Sequence, residues 1–525
     1  MGDTSTYLGF DFSTQQLKAI AIDSKLTVIC QYNVIYDKEL SEFKTKGGVH
    51  KHPDRITVTS PCLMWVKALD IILQKMKNDN FDFSSVVSIC GAGQQHGSVY
   101  WKKGAGEILN HLDAAQGTLA SQLENCLALL NSPVWMDSST TKQCLQLERA
   151  FNGPQNLANV TGSKAYERFT GCQIAKIFQN FPNIYQECER ISLVSSFGAS
   201  LFLGRYAAID YCDGSGMNLM DIFMKRYSDC ALQACAPNLK ELLGDLVKPG
   251  TNLGCISSYM RDKYGFSSNC RVSAFTGDNP ASLVGMRLKQ GDLAISLGTS
   301  DTVFIWLDNP QPALEGHIFC NPISSESFMA LLCFKNGSLT RESIKNELGI
   351  ETWEKFEELM ADTPPGNNGN IGIYFKEMEI TPPKIGCYRY DCNGNEMQDF
   401  DLKTEVRALI EGQFMAKRMH AENLGYDIGK CNRIIATGGA SSNKALLQVL
   451  SDIFNKPIYV QNISNSVSLG GAYMANFAIN SELLEEWLLL RDSYRLAAEP
   501  NPATITAYSK LLESYRCLEA KIPSK

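Results

Sequence analysis

Apolar and polar positions alternate most legibly at two places in the chain. Tyr7, Leu8 and Phe10 lead into Asp11-Phe12-Ser13-Thr14-Gln15-Gln16, and residues 17–22 lead out. Further on, Ile295 and Leu297 lead into Gly298-Thr299-Ser300-Asp301, and residues 303–306 lead out. Both read as β-hairpins, and glycine supplies the positive φ and close backbone approach that a tight turn needs. Two strand–polar turn–strand units point to a duplicated architecture. Small hydroxyl residues at such turns can offer N–H and O–H donors to phosphate without a lysine. A third element follows the same logic. Residues 433–436 form a short apolar strand, then come Thr437-Gly438-Gly439-Ala440-Ser441-Ser442-Asn443 and a helical run from Lys444. Two adjacent glycines between a buried strand and a helix let a flat ligand lie close to the backbone.

Between these landmarks the periodicity predicts a helix over 61–77 and a buried strand over 83–90. Strand–helix–strand order of this kind implies a largely parallel sheet sandwiched by helices. The strand ends in Gly91-Ala92-Gly93-Gln94-Gln95-His96-Gly97-Ser98. The third glycine of a dinucleotide fingerprint is misplaced here, so this reads instead as a polar, substrate-facing loop at a strand's C-terminal end. Residues 104–132 read as a surface insertion. The stretch 133–139 is a short strand and turn carrying Trp135 and Asp137. Helices are expected over 140–150, 172–178, 339–359 (with Trp353) and 406–424. Ala165-Tyr166-Glu167-Arg168 precedes the second of these. Residues 191–203 read as a strand or short helix, 213–218 as a tight turn before another helix, and 364–370 as a mobile loop. Gly470-Gly471-Ala472 is expected to open a helix, and 479–525 to be terminal helices. The second set of motifs places a domain boundary after residue 272, giving domains 1–272 and 273–525. An arginine and a tryptophan near polar turns suit a sugar, whose hydroxyls need donors and whose C–H faces need an apolar platform.

Composition narrows the partners. With 49 Lys and Arg against 56 Asp and Glu, a net charge of −7 argues against nucleic acid or an anionic membrane, both of which want a basic face. The 18 cysteines show no CxxC pairing and the 6 histidines no ligand cluster. Free thiols in a reducing compartment, and hence a cytoplasmic protein, are expected. The start Met1-Gly2-Asp3-Thr4-Ser5-Thr6 fits an acylation pattern, but no basic cluster supplies a second anchor, so no membrane attachment is expected.

The chain lacks a P-loop and the protein-kinase motif set. Its paired hairpins and glycine pair resemble the actin-like ATPase superfamily, and within it the carbohydrate-kinase family that includes glycerol kinase. Residues 11–15 resemble the first phosphate motif, 297–301 the second, 437–443 the adenosine motif, and Gly470-Gly471-Ala472 the second connecting helix. Gln95-His96-Gly97 resembles the family's sugar-contacting loop, and Gly277-Asp278-Asn279 the segment with its catalytic aspartate. One position departs: Ser13 stands where the first motif carries glycine, which narrows the room beside the phosphates.

The resemblance implies an α/β fold of two ribonuclease-H-like domains, each a mixed sheet flanked by helices, with a cleft between them. It implies ATP-dependent phosphorylation of a ketose, D-xylulose first, with ribulose, glycerol or a catalytically weak sugar sensor as alternatives. Asp278 is then the general base, and Gln95, His96, Trp135, Asp137, Arg168 and Asn279 join it in binding the sugar. Asp11 orients Mg²⁺ through water, since that ion keeps its hydration shell and prefers carboxylate oxygen. Thr14, Gln15, Gly298 and Thr299 face the phosphates of ATP, and Trp353, Gly438, Gly439 and Asn443 border the adenosine. A monomer or homodimer is expected.

Overall fold

The computed structural model describes residues 5–461, 465–480, 482, 484 and 494–523. They form two compact units. The first comprises 1–287, 319–326 and 464–490; the second comprises 288–318, 327–463 and 491–525.

In the first unit, β1 (Thr6–Phe12) and β2 (Gln16–Asp23) are the predicted hairpin, and β3 (Val28–Ile35) extends it antiparallel. Helix α1 (Cys62–Asn78) covers one face and leads to β4 (Val86–Gly93), which pairs parallel with β1. After the helices α2 (Thr170–Asn180) and α3 (Val194–Leu203) come β5 (Asn252–Cys255), β6 (Arg271–Ser273), β7 (Thr276–Gly277) and α4 (Asp278–Gly285). The sheet order is β5-β6-β4-β1-β2-β3, with β7 beside β4. The sheet is thus mixed, because tight turns join β1, β2 and β3 while the β1–β4 pair is joined by a helical crossover. Strand β1 is buried along its whole length, as a strand between two partners and two covering layers must be.

The second unit repeats the plan. Strand β8 (Leu293–Leu297) and β9 (Asp301–Leu307) form the other hairpin, followed by β10 (His317–Cys320), at which the chain passes to the 319–326 segment of the first unit, and β11 (Phe328–Phe334). Two helices, α5 (Ser338–Glu347) and α6 (Trp353–Ala361), stand where one was expected. Helix α7 (Leu402–Asn423) precedes β12 (Ile434–Thr437), α8 (Lys444–Phe454) and β13 (Ile458–Val460). The chain then returns to the first unit as α9 (Ser466–Phe477) and ends in the second as β14 (Arg495–Ala498) and α10 (Ile505–Lys521). The sheet order is β10-β11-β9-β8-β12-β13-β14.

Several expectations are corrected. The units divide between Arg287 and Leu288, beyond the expected 272, because β6 and β7 pair with β4 and carry α4 with them. Residues 104–132 are no surface insertion: Leu109, Leu119, Leu123 and Cys126 are core residues, and Asp70 on α1 accepts from Leu119 N and Ala120 N. Residues 211–217 are themselves short helical turns, leading into the strand Met220–Asp221 rather than a helix. The 364–370 loop is pinned, with Asn367 fully buried and Gly366 N donating to Glu411 Oε1. The expected terminal helices over 479–525 include strand β14, and residues 485–493 lie outside the described residues. Among the described residues no helix is long and apolar enough to cross a membrane.

Gly470 and Gly471 sit inside α9 rather than opening it. The reason is packing. A Cβ on Gly470 would stand 1.9 Å from the Ala281 carbonyl oxygen, and one on Gly285 1.8 Å from that of Ser466. Helices α4 and α9 therefore touch backbone to backbone. On the sheet side a Cβ on Gly9 would lie 2.0 Å from the Ser468 carbonyl oxygen. Alanine for glycine inside a helix normally gains about 1 kcal/mol. Here Gly470→Ala must separate two backbones, and overpacking of this kind costs about 1–3 kcal/mol or more. A denaturant midpoint below wild type is expected for Gly470→Ala; an unchanged or raised midpoint would contradict this packing.

Candidate functional site

Strand register builds the first half of the site. Gly277 pairs with Gly93 in parallel β7 and β4, so the two chains leave the sheet side by side, one as Gln94-Gln95-His96 and the other as Asp278-Asn279. Asp278 Oδ1 accepts from Gln95 N at 3.3 Å, Asn279 N at 2.9 Å and Asn279 Nδ2 at 3.2 Å. All three bonds converge on one oxygen. Burial first, and then the charge of Asp11, raise the Asp278 pKa to about 7. Asp11 itself is wholly buried in β1, its pKa also raised by burial. Neither of its oxygens meets a partner in full hydrogen-bond geometry, and Lys18 Nζ stands 3.4 Å from Oδ2.

His96 adopts a left-handed φ of 73°. Its Nδ1 lies 2.8 Å from the Gly216 carbonyl oxygen, and its ring stacks on Phe169 with centroids 4.3 Å apart. Burial, then Arg168, push its pKa down to about 3. A carbonyl only accepts, so the neutral ring carries its proton on Nδ1 and Nε2 is an acceptor. Arg168 lies over the Tyr166 ring at 4.9 Å and the Phe169 ring at 5.7 Å. Helix α2 braces this loop, Thr170 Oγ1 donating to His96 O.

Two of the residues expected to bind sugar are buried and bonded within the protein. Asp137 is 1% exposed and accepts from Val58 N, Ser139 N and Gln173 Nε2, so its carboxylate pins three segments together. The Gln95 side chain is 2% exposed, and its Oε1 accepts from Asn279 Nδ2 at 2.8 Å. Trp135, by contrast, is 45% exposed, and its Nε1 donates to Thr14 Oγ1, which in turn donates to Gln94 Oε1. Thr14 and Gln15 occupy the β1–β2 turn, Gln15 exposed.

The second unit gathers the other residues. Strands β8 and β12 are parallel, with Ser296 opposite Thr437. Their C-terminal ends place the Gly298-Thr299-Ser300 turn next to the Gly438-Gly439 loop. Gly438 has φ 84°, and a Cβ there would meet the Leu297 carbonyl oxygen at 2.6 Å; a Cβ on Gly439 would meet nothing within 4 Å. Asn443 Oδ1 caps α8 by accepting from Leu446 N, and its Nδ2 donates to Glu357 Oε1 on α6. Trp353 begins that helix, with Lys345 Nζ 5.8 Å from its ring.

One feature beneath the turn was invisible in sequence. Asp301 is fully buried, bonded to Arg341 at 2.9 and 3.1 Å and to Lys417 at 2.9 Å. Burial pushes its pKa up, but Lys417 and Arg341 outweigh that and hold it below the usual range. Ser338 N, at the start of α5, donates to Gly298 O at 3.0 Å. The only sequence hint was an aspartate closing a polar turn; its partners lie on two distant helices.

Among the described residues no cluster of three His, Cys, Asp or Glu side chains is arranged to hold a metal directly. A single buried carboxylate lacking hydrogen-bond donors, as at Asp11, fits an ion that keeps most of its water.

Two α/β units of this kind define the architecture of a sugar-kinase class. The solved structure of xylulose kinase from Rhodospirillum rubrum matches it with a TM-score of 0.81 at 15% identity, covering 98% of each chain. The chain belongs to the FGGY family of carbohydrate kinases: the family's N-terminal domain matches residues 113–285 and its C-terminal domain 293–479. It is 56% identical over 521 residues to xylulose kinase of Rattus norvegicus, covering 99% of this chain and 97% of that one. It is 48% identical to xylulose kinase 2 of Arabidopsis thaliana, covering 90% and 87%. A kinase of this family uses ATP as phosphoryl donor.

Arg341→Met would leave Asp301 with a single cation in a dry interior. Breaking a buried ion pair costs about 3–5 kcal/mol, so a marked loss of stability in urea titration is expected. A shift within error would mean that Lys417 alone satisfies the carboxylate.

Proposed function

We propose that the chain transfers the γ-phosphoryl group of ATP to a hydroxyl of D-xylulose, giving D-xylulose 5-phosphate. The observation that carries this reading is Asp278: a carboxylate with a pKa near 7, three donors on Oδ1, and the His96 loop beside it. The names of the full-length relatives supply the sugar.

Phosphoryl transfer needs an in-line acceptor, a proton acceptor and stabilisation of charge on the equatorial oxygens. Asp278 Oδ2, the oxygen without those donors, takes the hydroxyl proton. The electron pair left on the sugar oxygen forms the new P–O bond, and the γ-phosphorus–oxygen bond to ADP breaks with its pair going to the ADP oxygen. His96 Nε2 and Asn279 Oδ1 accept from sugar hydroxyls, Arg168 donates, and Trp135 offers a flat apolar face. A site that pairs several hydroxyls rejects analogues lacking them, because its own polar groups would go unpaired.

In the first unit the backbone N–H groups of Thr14 and Gln15 are offered to phosphate oxygens; in the second, taken by itself, those of Gly298 and Thr299 are, with the Thr299 hydroxyl. Gly438, Gly439, Asn443 and Trp353 border the adenosine. Asp11 would hold Mg²⁺ through water, and that ion, when bound, supplies positive charge to the phosphates. The compartment we infer is the cytoplasm, which suits eighteen free thiols.

Asp278→Asn is expected to lower kcat by about 10²–10⁴-fold with little change in KM for ATP. A near-normal rate removes Asp278 as base. Because its raised pKa keeps it protonated below about 7, kcat/KM for the sugar should fall as pH drops through that value and level off above it. An acid limb near the ordinary carboxylate range would contradict the assignment. His96→Ala should mainly raise KM for the sugar; a change confined to ATP would misplace the loop. ADP release measured across xylulose, ribulose and glycerol tests the acceptor, and sugar binding without ADP release would make the protein a sensor.

A further inference from the structure

One buried carboxyl of the first unit has no part in the chemistry above. Asp213, in the helical turn Tyr211–Gly214, is 1% exposed and accepts from Ser195 Oγ on Oδ2. Its Oδ1 is buried without a partner in hydrogen-bond geometry. Gln95 Nε2 is in the same condition. The two groups are neighbours: burial and then Asp210 drive the Asp213 pKa well up, and the Gln95 side chain is among the groups that pull it back.

The orientation of the Gln95 amide is fixed. Asn279 Nδ2 donates both to Asp278 Oδ1 and to Gln95 Oε1. An amide nitrogen cannot accept, so Gln95 turns its oxygen to Asn279 and its nitrogen to the other side. Two glycines form the slot that holds it. A Cβ on Gly277 would stand 2.5 Å from Gln95 Cγ, and one on Gly216 3.5 Å from Nε2. A side chain so enclosed acts through its neighbours rather than on a ligand.

We propose that Asp213 is a positioning residue: in the sugar-bound state its Oδ1 accepts from Gln95 Nε2, and the chain Asp213–Gln95–Asn279 sets the rotamer of Asp278. The proposal rests on Asp278 being the proton acceptor. Among the described residues this donor and this acceptor are both buried and neither atom is bonded elsewhere, and leaving such groups unpaired is costly, so a bond between them is favoured. Hydrogen bonds in catalytic networks commonly tighten when substrate binds. Gln95 then touches no sugar atom; its effect is on the rate.

The test is a double-mutant cycle on the full chain, reading kcat and both KM values. Gln95→Met and Asp213→Leu should each lower kcat by about 10–100-fold, the size of effect that a misplaced catalytic group produces. KM for xylulose and for ATP should stay within about threefold, since neither side chain touches sugar or nucleotide and the loss falls on the placing of Asp278. The double variant should be no slower than the slower single one, because both break one chain. Asp213→Asn keeps an acceptor oxygen for the Gln95 amide and should recover most of the kcat lost in Asp213→Leu. If Asp213→Leu does not fold, Ser195→Ala takes its place: it releases the Asp213 carboxyl without emptying the site, and should lower kcat but add no loss in the Gln95→Met background. A Gln95→Met enzyme with raised sugar KM and normal kcat, or losses that multiply in the double variant, overturns the proposal. Asp278→Asn run alongside keeps the two readings apart. If it is inactive while Gln95→Met is normal, only the positioning chain falls; if it is active, the base assignment falls first.

Discussion

Helices α4 and α9 meet where only glycine fits, with Gly285 against the Ser466 carbonyl and Gly470 against that of Ala281. On its other side α9 lies on β1 at Gly9 and approaches β4 at Gly91. These contacts remove a whole layer of side chains between helix and sheet. Asp278 is the first residue of α4, and Asp11 lies in β1. The close packing therefore fixes the setting of Asp278, whose proton affinity is raised first by burial and then by the charge of Asp11. A side chain at any of these glycines would alter the chemistry by moving a backbone, although none touches a reacting atom.

Electrostatics in the first unit works by withholding partners. Among the described residues the only cation in ion-pair contact with Asp278 or Asp11 is Lys18, 3.4 Å from Asp11, and burial raises the pKa of both. His96 is treated in the opposite sense: burial and Arg168 keep it neutral, so that it can accept rather than donate on Nε2. The second unit shows the contrary arrangement. Asp301, beneath the Gly298-Thr299-Ser300 turn, has two cations within hydrogen-bond distance and stays ionised. A fixed, fully paired charge holds a turn still, whereas an under-paired one can take a proton. One fold uses buried aspartates for both purposes.

What sequence reading recovered was whatever is local. Both hairpins, the strand before the glycine pair and the helix over 61–77 are fixed by alternation and turn chemistry, and they stand where the pattern placed them. The juxtaposition of His96 with Asp278, 182 positions apart in the numbering, came only from resemblance to a family. What the pattern did not show was long-range. Asp137, which the resemblance offers as a sugar ligand, is bonded to Val58 N and Gln173, a bracing role that no local pattern reveals. Residues 104–132 looked like an insertion because their apolar residues show no period, yet short helical turns bury them one at a time. Gly470-Gly471 looked like a helix start because glycine disfavours helix interiors. Only the facing carbonyl explains why it is kept there.

The same distinction bears on Ser13, the departure from the family's glycine. Its N–H donates to Gln16 O, closing the β1–β2 turn, and its carbonyl accepts from Tyr36 Oη. Ser13 is absent from the residues with left-handed φ, so the turn asks nothing of it that a side-chain-bearing residue cannot supply. The glycine required for close approach here is Gly48, whose Cβ would stand 1.8 Å from the Thr14 carbonyl oxygen. Room beside the β1–β2 turn is thus set by a glycine elsewhere in the chain, and serine at position 13 is compatible with the geometry of that turn.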